Sequence, residues 1–205
     1  MKKYSILIAV VSLFASLSAS ATTYTPTSMK MKIYRILIST DPLCTNPIVL
    51  WQPATPTVVD FIAAPTLGNG QVPDGTYPCM IWETSDQVTQ VPPTTSGTCV
   101  AGVPLTIDVC KAGITTTSVG GVSTNCTTGV EDKMTIYLST ASTSSGGMGY
   151  GQPPTSIGDA NHGINLAGAL VVSGDQTGTL IFNGSGVLDD TQPNCNGQAP
   201  AWGFR

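Results

Sequence analysis

Short apolar runs recur along the chain after residue 21, and clusters of Gly, Pro, Asn and Asp separate them. Helical periodicity is almost absent over the same stretch, so the pattern predicts an all-β protein. A set of short strands of this size suits an antiparallel β-sandwich with Greek-key connections. The predicted strands cover 29–39, 47–52, 57–62, 76–83, 104–110, 114–119, 133–139, 168–173 and 178–183.

Alternation within these strands predicts which faces are buried. In the first strand the apolar positions are odd-numbered up to Ile33 and even-numbered from Tyr34 onward, so an extra residue near Tyr34 predicts a β-bulge. In 104–110 and 133–139 apolar and more polar residues alternate without interruption. We expect each of these strands to have one buried face and one polar face.

The stretch VPDGTYPCMIWE (72–83) combines a turn with a strand. Asp74-Gly75 is a turn signal, and Tyr77, Cys79 and Ile81 then fall on alternate positions and should share a face. Pro78 lacks the N–H that a central strand needs, so it predicts an edge strand or a bulge.

The segment VDFIAAPTLGNGQVPDGTYPC (59–79) resembles the strand, loop, P-x-G-x-Y and strand pattern of transthyretin-like modules in bacterial exported proteins. The matching residues are Pro73, Gly75 and Tyr77, and the resemblance covers about residues 29–83. It implies that the glycine turns the chain, that the tyrosine packs into the core, and that the protein has a structural or binding role. The sandwich is therefore expected to be prealbumin-like or immunoglobulin-like.

The first 21 residues, MKKYSILIAVVSLFASLSASA, have the anatomy of a signal peptide: two lysines, an apolar run and a small-residue cleavage site. We expect cleavage after Ala21, which leaves 22–205 as a single β-sandwich domain. The apolar run is interrupted by serines and is too short for a membrane anchor. Export to the periplasm, the cell surface or the medium follows, with no stable membrane insertion.

Charge excludes two classes of partner. Loss of Lys2 and Lys3 with the signal leaves 6 basic residues against 12 acidic ones, a formal charge of −6. Phosphate binding requires Lys and Arg, so nucleic acid is not an expected partner. Electrostatic attachment to anionic membranes is disfavoured for the same reason.

An even number of cysteines in an exported chain predicts three disulfides. Sequence alone leaves 15 pairings open, and closure of the shorter loops first favours one of them. Zinc is disfavoured because there is no CxxC pair and only one histidine, so we expect neither a metal nor a cofactor. The favoured pairs are Cys110 with Cys126, Cys79 with Cys99, and Cys44 with Cys195.

Two long loops are predicted at 84–98 and 139–163, and loops of this length are often functional. The second is rich in Gly and Ser and carries Tyr150 and His162, residue types that suit contact with a sugar or a protein. With Trp82, which could equally be a core residue, these form the candidate ligand-binding set.

Catalytic motifs are absent from the sequence. His162 is the only possible imidazole base and no GxSxG elbow accompanies it, which argues against a serine hydrolase. A glycosidase needs two convergent carboxylates, and the sequence does not show which would converge. The acidic candidates are Asp60, Glu83, Asp86, Asp108, Glu131 and Asp132. Possible calcium ligands occur in two turn-like segments, at Asp159 and Asn161 and at Asp189, Asp190, Asn194 and Asn196.

These features predict an exported, non-enzymatic structural or adhesive module at the bacterial cell surface or outside the cell, with a cell-surface glycan or protein as partner. One alternative is a carbohydrate-binding protein with exposed aromatic residues. Another is a fimbria-like subunit that self-associates by donating the strand 22–33. A secreted hydrolase would require a cleft that gathers two of the carboxylates.

Overall fold

The computed structural model describes residues 22–63, 71–174, 180–190, 195–197 and 199–204. Within these ranges the chain forms β-strands and no helix, so no described helix could cross a membrane. The predicted signal peptide, 1–21, lies outside the described residues. The strands are β1 (Thr23–Tyr24), β2 (Ser28–Ser39), β3 (Ile48–Trp51), β4 (Thr57–Asp60), β5 (Gly75–Tyr77), β6 (Cys79–Ser85), β7 (Gln87–Val91), β8 (Leu105–Asp108), β9 (Thr115–Thr117), β10 (Ser123–Asn125), β11 (Lys133–Ser139), β12 (Ile164–Asn165), β13 (Leu170–Val172), β14 (Leu180–Asn183), β15 (Leu188–Asp189), β16 (Asn196–Gly197) and β17 (Ala201–Phe204).

An eight-stranded sheet dominates the structure, in the order β12-β11-β6-β2-β7-β8, with β3 and β4 also paired to β2. Its ladders are antiparallel except for the parallel pair of β11 and β12. A three-stranded sheet is formed by β1, β15 and β16. Three two-stranded sheets pair β9 with β10, β5 with β13, and β14 with β17. The all-β, antiparallel, disulfide-bonded class is confirmed, whereas the division into two packed sheets stays a prediction.

Strand β2 is the centre of this sheet because it pairs along both edges. One edge pairs with β6 and β7, and the other with β3 and β4. In the ladder with β6, Ile33 faces Thr84 and Arg35 faces Glu83, so Tyr34 between them has no partner. The predicted bulge is thus confirmed.

Both faces of the central strands are buried. All seven residues of β6 are buried, and in β11 Thr135 and Ser139 are buried with the apolar positions. The expectation of one polar face is therefore wrong for β11. Two parts of the chain cover the second face. Strand β9 contacts it where the Tyr137 hydroxyl donates to Thr117 O at 2.9 Å, and the turn after β2 contacts it through the Cys44–Cys79 disulfide. A main core lies on the other face, around Ile33, Ile36, Ile38, Met80, Trp82 and Leu138.

Pro78 does not mark an edge strand, because β6 lies between β2 and β11. It instead separates β5 from β6, where its missing N–H interrupts no ladder, and its carbonyl accepts from Thr140 N at 3.0 Å. The break also changes the side-chain phase. Tyr77 packs with the main core while Cys79 lies in the cluster on the opposite face, so the predicted common face is wrong.

Tyr77 itself behaves as the P-x-G-x-Y pattern implies. Its side chain is buried and its hydroxyl donates to Pro73 O at 2.6 Å. The hydrogen bond explains why a tyrosine suits this site: the ring joins the core while the hydroxyl satisfies a carbonyl.

Two of the three predicted disulfides are wrong. The structure joins Cys44 to Cys79 and Cys99 to Cys195, and it confirms Cys110 with Cys126. Loop length does not predict these pairs because strand pairing determines which cysteines are close in space. Ser39 faces Cys79 in the ladder of β2 with β6, and the turn after Ser39 brings Cys44 back beside Cys79. Cys99 lies against Asp189 O and thus near the segment that carries Cys195.

The two predicted loops differ in outcome. Most of 84–98 is not a loop, because β6 continues to Ser85 and β7 follows at once. Between Ser139 and Ile164 the chain forms no strand, and its ends meet because Leu138 pairs with Ile164. The sequence pattern also did not predict several very short strands or β7. Strand β7 has the polar sequence QVTQV but forms a ladder with β8.

The Cys99–Cys195 bridge should contribute more stability than the Cys110–Cys126 bridge. The first spans 96 residues and the second 16, and a crosslink restricts the unfolded chain more when the loop is longer. We expect Cys99→Ser/Cys195→Ser to lose about 1.5 kcal/mol more of the free energy of unfolding than Cys110→Ser/Cys126→Ser. Urea unfolding of both variants and the parent measures the difference, after peptide mapping of the pairs. Equal losses would contradict this expectation.

Candidate functional site

A depression of about 400 Å³ opens where β2 is bulged. The bulge places two consecutive side chains, Tyr34 and Arg35, at this depression rather than on opposite faces of the sheet. Residues from three other parts of the chain complete it: the connection between β3 and β4, strand β6 and the start of β11. The lining residues are Tyr34, Arg35, Gln52, Pro53, Ala54, Pro56, Glu83 and Lys133.

A buried carboxylate holds the two cations of the depression. The Glu83 side chain is only 2% exposed, and its two oxygens lie 2.5 Å from Arg35 Nη2 and from Lys133 Nζ. The Arg35 contact is a hydrogen bond, whereas the Lys133 contact is an ion pair without hydrogen-bond alignment. Register explains the arrangement, because Arg35 and Thr135 both face Glu83 and Lys133 lies two positions from Thr135.

The ionised forms of this cluster are stabilised. Burial opposes ionisation of Glu83, but the hydrogen bond from Arg35 and the close contacts and charges of Lys133 and Arg35 outweigh it, and the pKa of Glu83 falls below its ordinary value. The hydrogen bond to Glu83 raises the pKa of Arg35. Two cations therefore surround one anion, and the depression carries a local excess of positive charge in an acidic protein.

The depression retains unused hydrogen-bond donors. Arg35 donates to the described residues through Nη2 alone, so its Nη1 group is unused, whereas its unpaired Nε is buried and cannot be reached from the depression. Lys133 is half exposed and its ammonium lies 5.3 Å from the centroid of the Tyr34 ring. Such a set of donors beside an aromatic ring suits an anionic, partly flat ligand.

The three sequence-predicted contact residues are not gathered into one surface. Trp82 is 1% exposed and packs between Phe61 and Trp202, with ring centroids 5.2 and 5.1 Å away. It therefore belongs to the core and cannot meet a surface ligand. Tyr150 is partly buried and donates to Val109 O at 2.7 Å.

His162 lies in the 139–163 loop and contacts Asp159, with Nδ1 2.9 Å from Oδ2. The buried Asp159 carboxylate also accepts hydrogen bonds from the backbone of Thr155, Asn161 and His162. The backbone donors, followed by His162, lower the pKa of Asp159 well below its usual range. Its oxygens are thus used to fold the loop, as expected of a turn rather than of a calcium site.

The second turn-like segment uses its acids in a similar way. Asp190 accepts from Thr22 N at 2.7 Å and from the Ser96 hydroxyl, and Asn194 lies outside the described residues. No three His, Cys, Asp or Glu side chains are grouped so that they could hold a metal ion within the described ranges.

Asp86 lies between β6 and β7, where the charges of two other acidic candidates, Asp108 and Asp132, act on its carboxylate. Burial, reinforced by the charges of Asp108 and Asp132, raises the pKa of Asp86 to about 6. The other candidates have separate roles: Asp60 accepts from Ser28 and Met29, and Glu131 pairs with Lys32. No sequence pattern indicates this arrangement, because it depends on how β8 and β11 lie beside β6 and β7.

Sequence analysis also missed Arg35 and Lys133 as ligand-binding candidates. The available signal was a charged residue at the phase change of an otherwise apolar strand, in MKMKIYRILIS. The partner of that charge could not be inferred without the register that places Glu83 opposite Arg35.

Comparison with known proteins returns no match to a family model, a curated protein or a solved structure. The transthyretin-like resemblance therefore stays a prediction.

Replacing Glu83 should destabilise the protein at neutral pH. Glu83→Gln removes the anion between two cations, and we expect a loss of about 1–3 kcal/mol in the free energy of unfolding. Because the pKa of Glu83 is lowered in the folded state, its contribution is present above its ordinary pKa of 4.5 and is lost as the pH falls through the folded value.

Glu131→Gln is the matched control, because its ion pair with Lys32 is exposed and such pairs contribute little. Denaturant unfolding of parent and both variants across the acidic range measures the effect. The account fails if the two variants are equally stable at neutral pH, or if the deficit of Glu83→Gln persists under strongly acidic conditions.

Proposed function

We propose that this chain is an exported, non-enzymatic binding module that acts at the bacterial cell surface or outside the cell, with residues 1–21 as its cleaved signal peptide. Its binding site is the depression at the β2 bulge, and its ligand is a glycan that carries carboxylate groups. The observation that supports this most is that Arg35 and Lys133 share one buried carboxylate and both line an open depression.

A carboxylate fits the donors of the site. The remaining N–H groups and the charge of the Arg35 guanidinium attract a carboxylate, and the Lys133 ammonium adds a second positive charge. Glu83 keeps both cations in place before the ligand arrives, which lowers the ordering cost of binding.

The rest of the depression favours a sugar over a simple anion. Tyr34 offers a ring face and Gln52 an amide that can both donate and accept. Pro53 and Pro56 stiffen the rim, since proline fixes the backbone φ angle. An acidic sugar ring presents the apolar face, hydroxyls and carboxylate that complement these groups.

The covalent structure fits a location outside the cytoplasm. The three disulfides suit an oxidising compartment. They crosslink a chain in which charged residues make up only 10% of the sequence. An extracellular glycan is a partner that such a module would meet.

The filament alternative has less support. The proposed donor segment is already paired within the chain, where Thr23–Tyr24 join β15 and Ser28–Ile33 join β4, β6 and β7. Donation to another subunit would require those ladders to open. The hydrolase alternative is weakened because its best carboxylate, Asp86, is fully buried.

Binding of oligoglucuronate or oligogalacturonate tests the proposal. We expect saturable binding by the mature chain, and a loss of about tenfold or more in affinity for Arg35→Gln and Lys133→Gln. Arg35→Lys keeps the charge but loses the planar fork and should lose part of the affinity.

Lys32→Gln is the control, because Lys32 pairs with Glu131 and does not line the depression. Calorimetry measures affinity, and thermal unfolding confirms that each variant is folded. Equal affinity for the reduced, uncharged oligosaccharides would contradict the role of the carboxylate. Unchanged affinity of both charge variants would contradict the location of the site. Selective binding of acidic peptides would assign the depression to a protein partner instead.

A further inference from the structure

Thr22, the first described residue, is held by the carboxylate of Asp190. Thr22 N donates to Asp190 Oδ1 at 2.7 Å, and in return Asp190 N donates to Thr22 O at 3.3 Å. The Ser96 hydroxyl donates to Asp190 Oδ2, and the Tyr24 hydroxyl lies 3.5 Å from the same oxygen. One partly buried side chain therefore collects donors from two distant segments of the chain.

Asp190 attaches the N-terminal strand to a disulfide-bonded part of the fold. Strand β1 has only two residues and pairs with β15 over that length. A terminal segment this short is ordered only where other contacts tie it down. Ser96, the second partner of Asp190, exchanges two backbone hydrogen bonds with Cys99, which is bonded to Cys195. The position of β1 thus depends on the contacts that Asp190 makes.

The Asp190 carboxylate is charged but has no cationic partner in the part of the chain that the structure describes. Hydrogen bonds from the Ser96 hydroxyl and then from the Thr22 backbone lower its pKa, so it is ionised at neutral pH. No Lys, Arg or His side chain in the described ranges forms an ion pair with it. A cationic donor in place of a neutral one would make a stronger, charge-assisted hydrogen bond.

We propose that the Asp190 carboxylate is the binding site for the α-ammonium group of Thr22, and that removal of residues 1–21 thereby locks β1 onto β15. The inference rests on the cleaved signal peptide of the proposed function. Hydrolysis of the Ala21–Thr22 peptide bond consumes one water molecule and leaves a carboxylate on Ala21 and an ammonium group on Thr22. The neutral N–H that now donates to Asp190 is thus replaced by a positively charged donor at the same nitrogen atom.

The new amino group is charged under the conditions that the exported chain meets. An α-amino group has an ordinary pKa of about 7.7–8.0, and a nearby carboxylate favours its charged form further. The nitrogen already lies 2.7 Å from Asp190 Oδ1, so the ion pair requires no movement of the chain. The mature chain therefore gains an ion pair that the precursor lacks, and it gains this pair only after export.

Acetylation of the Thr22 amino group tests the site, because an acetyl group restores the neutral amide N–H of the precursor and removes the charge. We compare the mature chain that begins at Thr22 with the same chain acetylated there. The free amine should give a folding equilibrium constant about twofold to fivefold larger, as expected of an exposed ion pair. Urea unfolding at neutral pH and low salt measures the ratio. Addition of about 1 M NaCl should reduce it, because salt screens exposed charges.

Two substitutions, each made in the free and the acetylated chain, locate the effect. In Asp190→Asn the side-chain oxygen can still accept from Thr22 N but carries no charge, so the two forms should become equally stable. Asp74→Asn is the matched control, because that carboxylate also accepts from a backbone N–H, of Gly174, at an exposed position. It should leave the ratio between the two forms unchanged.

Three results would overturn the proposal, and they separate its two parts. Equal stability of the free and acetylated chains would show that Asp190 does not bind the ammonium group. A difference that persists in Asp190→Asn would assign the effect to another contact of the N-terminus. Mass spectrometry of the protein exported by a bacterial host should find Thr22 as the first residue. Retention of residues 1–21 there would contradict the signal peptide of the proposed function, whatever the two unfolding comparisons show about the site.

Discussion

Strand β2 must satisfy hydrogen bonds on both edges over its 12 residues, while its apolar side chains must face two different cores. One strand cannot keep a single register with β3, β4, β6 and β7 along that length. The ladder therefore breaks at Tyr34 against β6 and again between Ile36 and Leu37 against β3. The candidate site depends on the first of these breaks, because a regular strand would turn Tyr34 and Arg35 to opposite faces.

Buried charge enters this sheet close to interruptions of the ladder. Glu83 lies on β6, whose other residues are apolar or hydroxyl-bearing and all buried, and the buried Asp86 follows directly after that strand. A buried carboxylate requires a partner, since desolvation penalises an isolated charge. Glu83 meets two cations because the bulge brings Arg35 opposite it. Asp86 is held instead by the backbone at the start of β11, where its Oδ1 accepts from Asp132 N at 2.8 Å.

How far sequence could predict the molecule follows from the range of each interaction. Local rules located most of the longer strands, the bulge near Tyr34 and the buried Tyr77, because alternation and turn residues act over a few positions. They failed where distant segments decide the environment. Pro78 predicts an edge strand or a bulge because the break between β5 and β6 cannot be seen in a continuous run of strand-forming residues. The predicted pairing of Cys44 with Cys195 is wrong because it was based on loop length, which carries no information on which strands are neighbours.

The site itself was less predictable than the fold. Trp82 is a predicted contact residue because it is an aromatic residue beside the predicted loop 84–98, yet β6 continues past it and places it in the core. Arg35, Glu83 and Lys133 lie 48 and 50 residues apart in sequence order, and only the pairing of β2, β6 and β11 brings them together. The charge of Asp108 likewise acts on Asp86 only because β7 and β8 form a ladder.

The most direct test of the account is the register of β2 against β6, because the candidate site is a consequence of it. Cross-strand proton contacts in an NMR spectrum of the labelled mature chain measure that register. The account predicts contacts that place Ile33 opposite Thr84 and Arg35 opposite Glu83, with Tyr34 lacking a partner in β6. An unbroken series that places Tyr34 opposite Glu83 would contradict it, since Arg35 would then face away and the depression would lose one of its two cations.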